Sequence, residues 1–275
     1  MAKITAADVN KLRKMTGAGM MDCKNALVEA DGDFEKAIEI LRKKGQKVAA
    51  KRADRESSEG VVVAALNDDR TEGVLISLNC ETDFVAKNAD FIKLAEDFGK
   101  IALQYDNKED FLKAPFDDKI TVAEKVTEQT GVIGEKIEIG AFEKLSGAYL
   151  GSYIHSNKKI GTLVAFNKAP EGIEEVAHDI AMQVAAMSPI ALDEESVPQE
   201  IIDKELEIAK EQLRNEGKPE NMLDKIAQGK LKKFFKENTL VNQAFIKDSK
   251  QTVADYVKSL DPELKITGFK RVALG

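Results

Sequence analysis

A chain of 275 residues that is 43% hydrophobic, with only 6 prolines, can bury more than one core and is not a disordered polymer. Its formal net charge of -7 argues against wholesale nucleic-acid binding and against a bulk membrane-surface role, both of which rest on a positive surface. Cys23 and Cys80 form no CxxC pair or disulfide framework, no apolar run approaches the roughly 18 residues of a membrane span, and the start Met1-Ala2-Lys3-Ile4-Thr5 carries no apolar targeting segment, so a cytoplasmic protein is expected.

The first 55 residues read as three short helices and a basic linker. Thr5 is an N-cap before Val9 and Leu12, and the turn residues Thr16-Gly17-Ala18-Gly19 end the first helix near Met15. A second helix places Met20 or Met21, Cys23, Leu27 and Val28 on or near one face. Asp33 caps a third, with Phe34, Ala37, Ile38 and Leu41 inward and Gly45 as its stop. Such a small unit binds another protein or caps the larger domain. Residues 42–55 carry Arg42, Lys43, Lys44, Lys47, Lys51, Arg52 and Arg55 against the single acid Asp54. They form either a solvated helical face or a contact for an acidic surface or RNA.

The rest reads as two copies of one α+β unit. In the first copy, strands over 60–66 and 73–78 flank a turn at 67–70. A helix follows over roughly 88–104, with Phe91, Leu94, Ala95, Phe98, Ile101 and Ala102 at helical spacing. In the second copy, strands over 149–154 and 160–166 flank a turn at 156–158, and a helix spans roughly 173–187. Segments 119–126 and 250–257 match each other, each with Thr (Thr121, Thr252) and an acid three residues on, the pattern of a capping box. Short strands are expected at 135–139 and 264–269. The predicted fold is therefore two antiparallel three-stranded sheets with helices on one face, 56–144 forming the first half and 145–190 with 240–275 the second. The early connections are too short for parallel crossovers.

An insertion over 191–239 reads as a helical hairpin. Pro198 opens an arm with the seam Ile202, Leu206, Ala209 and Leu213; Gly217-Lys218-Pro219 turns the chain; the second arm offers Leu223, Ile226, Leu231 and Phe234. The hairpin can close on itself or pair with a second molecule in coiled-coil fashion.

No chemical motif stands out. His155 and His178, the only histidines, lack a metal-ligand context, and neither GxGxxG nor GxxxxGK[ST] occurs. Cys23 sits in an apolar helical context that suits packing, and no sequence-near base accompanies Cys80 as a nucleophile. The segment set apart is Asn79-Cys80-Glu81-Thr82-Asp83-Phe84-Val85-Ala86-Lys87-Asn88, where a strand ends and a helix begins. Thr82 or Asp83 can cap a helical turn there. Alternatively, Asp83 and Phe84 present an acid and a ring together, ready to intrude into a partner.

Three segments taken together, 12–24, 79–88 and 178–186, resemble the bacterial elongation factor Ts family over essentially the whole chain. Gly217-Lys218-Pro219-Glu220-Asn221 also recurs in that family before the second hairpin arm. The resemblance implies a ubiquitin-associated-like N-terminal unit, a two-part core, and a non-enzymatic factor that binds elongation factor Tu–GDP and promotes GDP release. No cofactor of its own is implied; it acts on the partner's GDP and magnesium. The implied contact residues are Thr82, Asp83, Phe84 and Val85 at the intruding turn, Lys24 in the N-terminal unit, Ile160 and Gly161 at a strand start, and His178 and Ile246 in the second half. Self-association through the hairpin varies within the family. The chain ends at Gly275, where some relatives continue into a further helical module, so that module's contact is expected to be absent. The alternative is an RNA- or ribosome-associated module that uses residues 42–55.

Overall fold

The structure is a computed structural model that describes residues 4–275; Met1, Ala2 and Lys3, part of the segment read for a targeting signal, lie outside the described residues. Helices α1 (Ala6–Thr16), α2 (Met20–Glu29) and α3 (Phe34–Arg52) form the N-terminal unit. The Thr5 hydroxyl accepts the Asp8 N–H while the Asp8 carboxylate accepts from the Thr5 N–H, and Gly17, in the left-handed conformation at φ 71°, ends α1. Val9, Leu12, Cys23, Ala26, Leu27 and Ala37 make the small core.

Of the expectations for this unit, the face of α2 holds only in part and the end of α3 fails. Met20, Met21 and Val28 are exposed. The buried stripe of α2 is Cys23, Ala26 and Leu27; Met20 precedes the core, and Met21 and Val28, seven residues apart, share the solvent side. Gly45 does not stop α3, which continues to Arg52. It is buried where α3 crosses α7 (Val122–Ile133): a Cβ on Gly131 would lie 2.4 Å from the Gly45 Cα, so the missing side chains let two helix backbones touch.

In the first core half, β1 (Glu59–Leu66) pairs antiparallel with β2 (Glu72–Cys80), and Val63 faces Ile76. The chain then forms α4 (Asp83–Ala86), α5 (Ala89–Ala102), α6 (Lys108–Lys113) and α7 before β3 (Glu138–Ser146) pairs with β2. The third strand thus lies later than the expected 135–139. Gly134, at φ 81°, ends α7, and residues 135–137 form a link whose polar groups bond elsewhere. Phe91, Ala95, Phe98, Phe111 and Val122 cover the outer face of this sheet.

The second half repeats the plan. Strands β4 (Tyr149–Ile154) and β5 (Ile160–Phe166) are followed by α8 (Ile173–Met187). The hairpin arms α9 (Gln199–Asn215) and α10 (Glu220–Asn238) intervene, and a 3-10 turn at Leu240–Asn242 follows. Next come β6 (Ala244–Phe245) and β7 (Asp248–Thr252), which pair as a small hairpin that the sequence did not suggest. Helix α11 (Val253–Leu260) and β8 (Ile266–Ala273) complete the fold, with β8 beside β5. That last strand is also shifted from the expected 264–269. Thr121 and Thr252 both close the expected capping boxes, with Glu124 and Asp255.

The inner faces of the two sheets meet at Val62, Leu75, Leu163 and Val272, giving helix–sheet–sheet–helix layers. The hairpin closes on itself: Ala209 and Leu213 pack with Leu223 and Ala227, and Leu231 and Phe235 pack with Val197. Ile226 and Phe234, expected at the seam, lie beside it and are only partly buried. Ion pairs Lys210–Asp224 and Arg214–Glu220 bridge the arms. Among the described residues, no helix is long and apolar enough to cross a membrane.

Candidate functional site

The turn after β2 gathers the residues singled out above. Cys80 ends the strand buried, and its thiol donates to the Thr82 carbonyl at 3.2 Å. Burial, with help from the Glu135 carboxylate, pushes that thiol up to about 12, so it is no nucleophile at neutral pH. Thr82 is the N-cap of α4: its hydroxyl accepts the Val85 N–H at 3.5 Å. Asp83 is therefore not the cap. It opens the helix and pairs with Lys87 one turn on; that hydrogen bond and charge hold its carboxyl below the usual carboxylate range. Val85 and Ala86 turn inward onto the first core. With its neighbours so held, Phe84 projects outward and is 83% exposed, the most exposed large apolar side chain described. Capping and presentation are thus both realised, by Thr82 and Phe84 respectively.

Phe84 borders an open groove that is also lined by Lys14, Met15 and Thr16 of the N-terminal unit and by Leu94 and Val132. Met15, which lines the same groove, is also exposed. Singly exposed apolar residues are ordinary, but Phe84 and Met15 on one groove give apolar surface that a protein partner can cover.

The remaining predicted contacts are spread over other elements. Lys24 is exposed on α2. Ile160 is partly buried at the start of β5. Gly161 is buried between the sheets, where a Cβ would meet Val62 Cγ1 at 2.6 Å, so it spaces the sheets and offers no side to a partner. His178 is exposed on α8, its ring edge-on to Tyr153 at 5.7 Å. Ile246, at the tip of the β6–β7 hairpin, is 40% exposed, and its N–H donates to Gln183 Oε1 at 2.8 Å. Sequence reasoning missed the support beneath that tip: Asp179, only 3% exposed, accepts from Lys247 Nζ at 2.6 Å and from the Tyr256 hydroxyl at 2.9 Å. The available signal was two polar residues, Asp179 and Gln183, at i and i+4 on the apolar face of α8.

The basic stretch is partly neutralised within the chain. Lys43 pairs with Glu39, Lys44 with Asp22, and Arg52 with Glu81, while Lys47, Lys51 and Arg55 are exposed. Among the described residues, no group of three or more His, Cys, Asp or Glu side chains is arranged to hold a metal ion.

This arrangement presents separate exposed apolar side chains, Phe84 and Ile246, on a two-sheet core, the kind of surface a protein-binding factor needs. The family model described as Elongation factor TS matches residues 81–275. The chain is 68% identical over its full length, and that of the relative, to elongation factor Ts of Christiangramia forsetii. It is 64% identical, again over both full lengths, to elongation factor Ts of Flavobacterium psychrophilum, and 53% identical over 98% of each chain to that of Porphyromonas gingivalis. The chain belongs to the elongation factor Ts family, the non-enzymatic factors that promote guanine-nucleotide exchange on elongation factor Tu.

Proposed function

We propose that exchange is driven by the turn holding Thr82, Asp83, Phe84 and Val85, with the Phe84 ring entering the G domain of elongation factor Tu beside its GDP site. The observation that carries this reading is the 83% exposure of a phenylalanine whose immediate neighbours are capped, paired or buried. A ring already in water loses no contacts within its own chain on entering a partner, so nearly all of its burial energy goes to the complex. Asp83 reaches the partner's magnesium and water only by exchanging Lys87 for new neighbours. Lys24 and the Met15 side of the groove make a second contact, and Ile160, His178 and Ile246 a third on the other core half. No covalent step is involved. The factor binds best the G-domain conformation that holds GDP poorly, so nucleotide and factor weaken each other by one common factor.

Calorimetric titration tests this. The loss in factor affinity caused by GDP should equal the loss in GDP affinity caused by the factor, and Phe84→Ala should shrink that coupling. Equal factor affinities for the GDP-bound and the nucleotide-free partner would refute the reading.

Self-association through the helical hairpin is a subsidiary proposal. Its own seam is closed, so a dimer contact there would use Ile208 and Met222, which are 37% and 47% exposed. Light scattering of Ile208→Lys/Met222→Lys against the natural protein decides: a mass that does not change with these substitutions removes the hairpin from any dimer.

A further inference from the structure

We propose that residues 81–82 and 135–136 form a reciprocal carboxylate clasp that aims the Phe84 turn, with Glu135 and Glu81 as positioning residues for exchange and Arg52 tying the N-terminal unit to it. This rests on the reading of Phe84 given above.

The two segments are far apart in sequence and grip each other crosswise. Glu135 Oε2 accepts the backbone N–H groups of Glu81 at 3.1 Å and Thr82 at 3.0 Å, and its Oε1 accepts the Thr82 hydroxyl at 2.7 Å. In return, Glu81 Oε1 accepts the backbone N–H of Lys136 at 2.6 Å. The same oxygen accepts Arg52 Nη1 at 2.7 Å, from the last residue of α3. The Lys136 N–H, then Arg52, keep the Glu81 carboxyl below its ordinary range, as bonds donated to its charged form must.

The turn needs such external support. Helix α4 has four residues, too few to sustain itself, and its cap bond is long at 3.5 Å. Phe84 has almost no packing to hold its own direction. Its aim is therefore inherited from Glu81 and Thr82, the residues that Glu135 fixes by three charge-assisted bonds. Lys136 Nζ also donates to the Arg55 carbonyl at 3.1 Å, so the end of the basic stretch is bound to the same clasp. Arg52 thereby joins α3, in the N-terminal unit whose α1 end lines the groove, to the residue preceding the Phe84 turn, which lines it too. The merely structural alternative, in which the clasp only stabilises the fold, predicts changed stability with an unchanged turn.

The test reads the turn and the exchange separately. The sequence contains no tryptophan, so Phe84→Trp places a single indole at the tip. In that background, time-resolved anisotropy measures the freedom of the turn. In the natural Phe84 background, stopped-flow release of a fluorescent GDP analogue from elongation factor Tu measures exchange. Glu135→Ala should enlarge the fast anisotropy decay and lower the saturating release rate about tenfold, with Glu135→Gln, which keeps one acceptor oxygen, falling between. If Glu135→Ala does not fold, Arg52→Gln, which removes the guanidinium alone, is read the same way for a smaller loss. A folded variant with unchanged anisotropy and unchanged release overturns the clasp. Phe84→Ala run in parallel separates the two readings. If it exchanges normally, the Phe84 reading falls and the clasp falls with it as an exchange device; if it is impaired while Glu135→Ala is not, the clasp alone falls.

Discussion

Adding one methyl group to either of two touching glycines should have opposite effects. Both Gly45 and Gly131 are helical, so alanine at either adds about 0.8–1 kcal/mol of helix propensity. At Gly131 the new Cβ would sit 2.4 Å from the Gly45 Cα, more than 1 Å inside the roughly 3.5–4 Å at which carbon atoms rest. Neither atom is the end of a flexible side chain, so α3 and α7 must separate, and overpacking of this kind costs about 1–3 kcal/mol or more. At Gly45 the new Cβ would meet the Thr127 carbonyl oxygen at 3.4 Å and the Gly131 Cα at 3.7 Å, which is ordinary contact. Gly45→Ala should therefore be neutral or stabilising by up to about 1 kcal/mol, and Gly131→Ala destabilising by up to about 2 kcal/mol net. Urea unfolding followed by far-UV circular dichroism measures both midpoints. Because α3 also delivers Arg52 to Glu81, Gly131→Ala should weaken exchange as well. Equal midpoint shifts for the two variants would refute the reasoning that this crossing is held by backbone contact.

Gly161→Ala should cost about 1–3 kcal/mol in the same assay, because its Cβ would press on Val62 Cγ1 at 2.6 Å and Ile154 Cδ1 at 2.8 Å between the sheets. The capping carboxylates Asp8, Glu124 and Asp255 all lie below their ordinary range, held by hydrogen bonds from Thr5, Thr121 and Thr252. Their stabilisation is thus present above the unfolded-state pKa near 4 and lost as pH falls through the lower folded values. An acid titration of the urea midpoint should decline below about pH 4, and less so in Thr252→Ala. Since Cys80 is buried and its thiol is pushed up to about 12, an aromatic disulfide reagent at pH 8 should leave Cys80 unmodified in the native protein and label it on unfolding. Rapid native labelling at Cys80 would contradict the placement of that strand end.

Elements governed by local rules were readable from the sequence. Thr121 and Thr252, each with an acid three residues on, announced two equivalent helices and with them the duplication. The apolar spacing of Phe91, Ala95, Phe98 and Ala102 announced α5. Where a residue's role depends on something distant, local rules misled. Gly45 has the same local signature whether it stops a helix or lets one cross another, and only the position of Gly131 distinguishes the two. Strands β3 and β8 begin later than their apolar residues suggest, because their starts are set by pairing with β2 and β5. The β6–β7 hairpin was hidden because Asp248-Ser249-Lys250-Gln251-Thr252 has no apolar alternation; it is held by Gln183 and Asp179 of α8. At the site, the sequence set apart the strand–helix junction at Asp83 and Phe84 but left open whether the ring packs inward or is presented, which its exposure decides. Glu135 was not legible, since nothing near it in the chain shows that its carboxylate closes on Glu81 and Thr82.

The central claim is that the Phe84 ring promotes release as well as binding, and the concentration dependence of GDP release from elongation factor Tu tests it most directly. Burying a phenylalanine removes about 150–250 Å² from water, worth roughly 4–6 kcal/mol at about 25 cal/mol per Å², of which only a part is spent in the step that expels GDP. Phe84→Ala, folded as the natural protein because the ring is already 83% exposed, should reach a saturating release rate at least about tenfold lower. The same plateau reached at a higher factor concentration would show that the ring only binds, and would contradict the account.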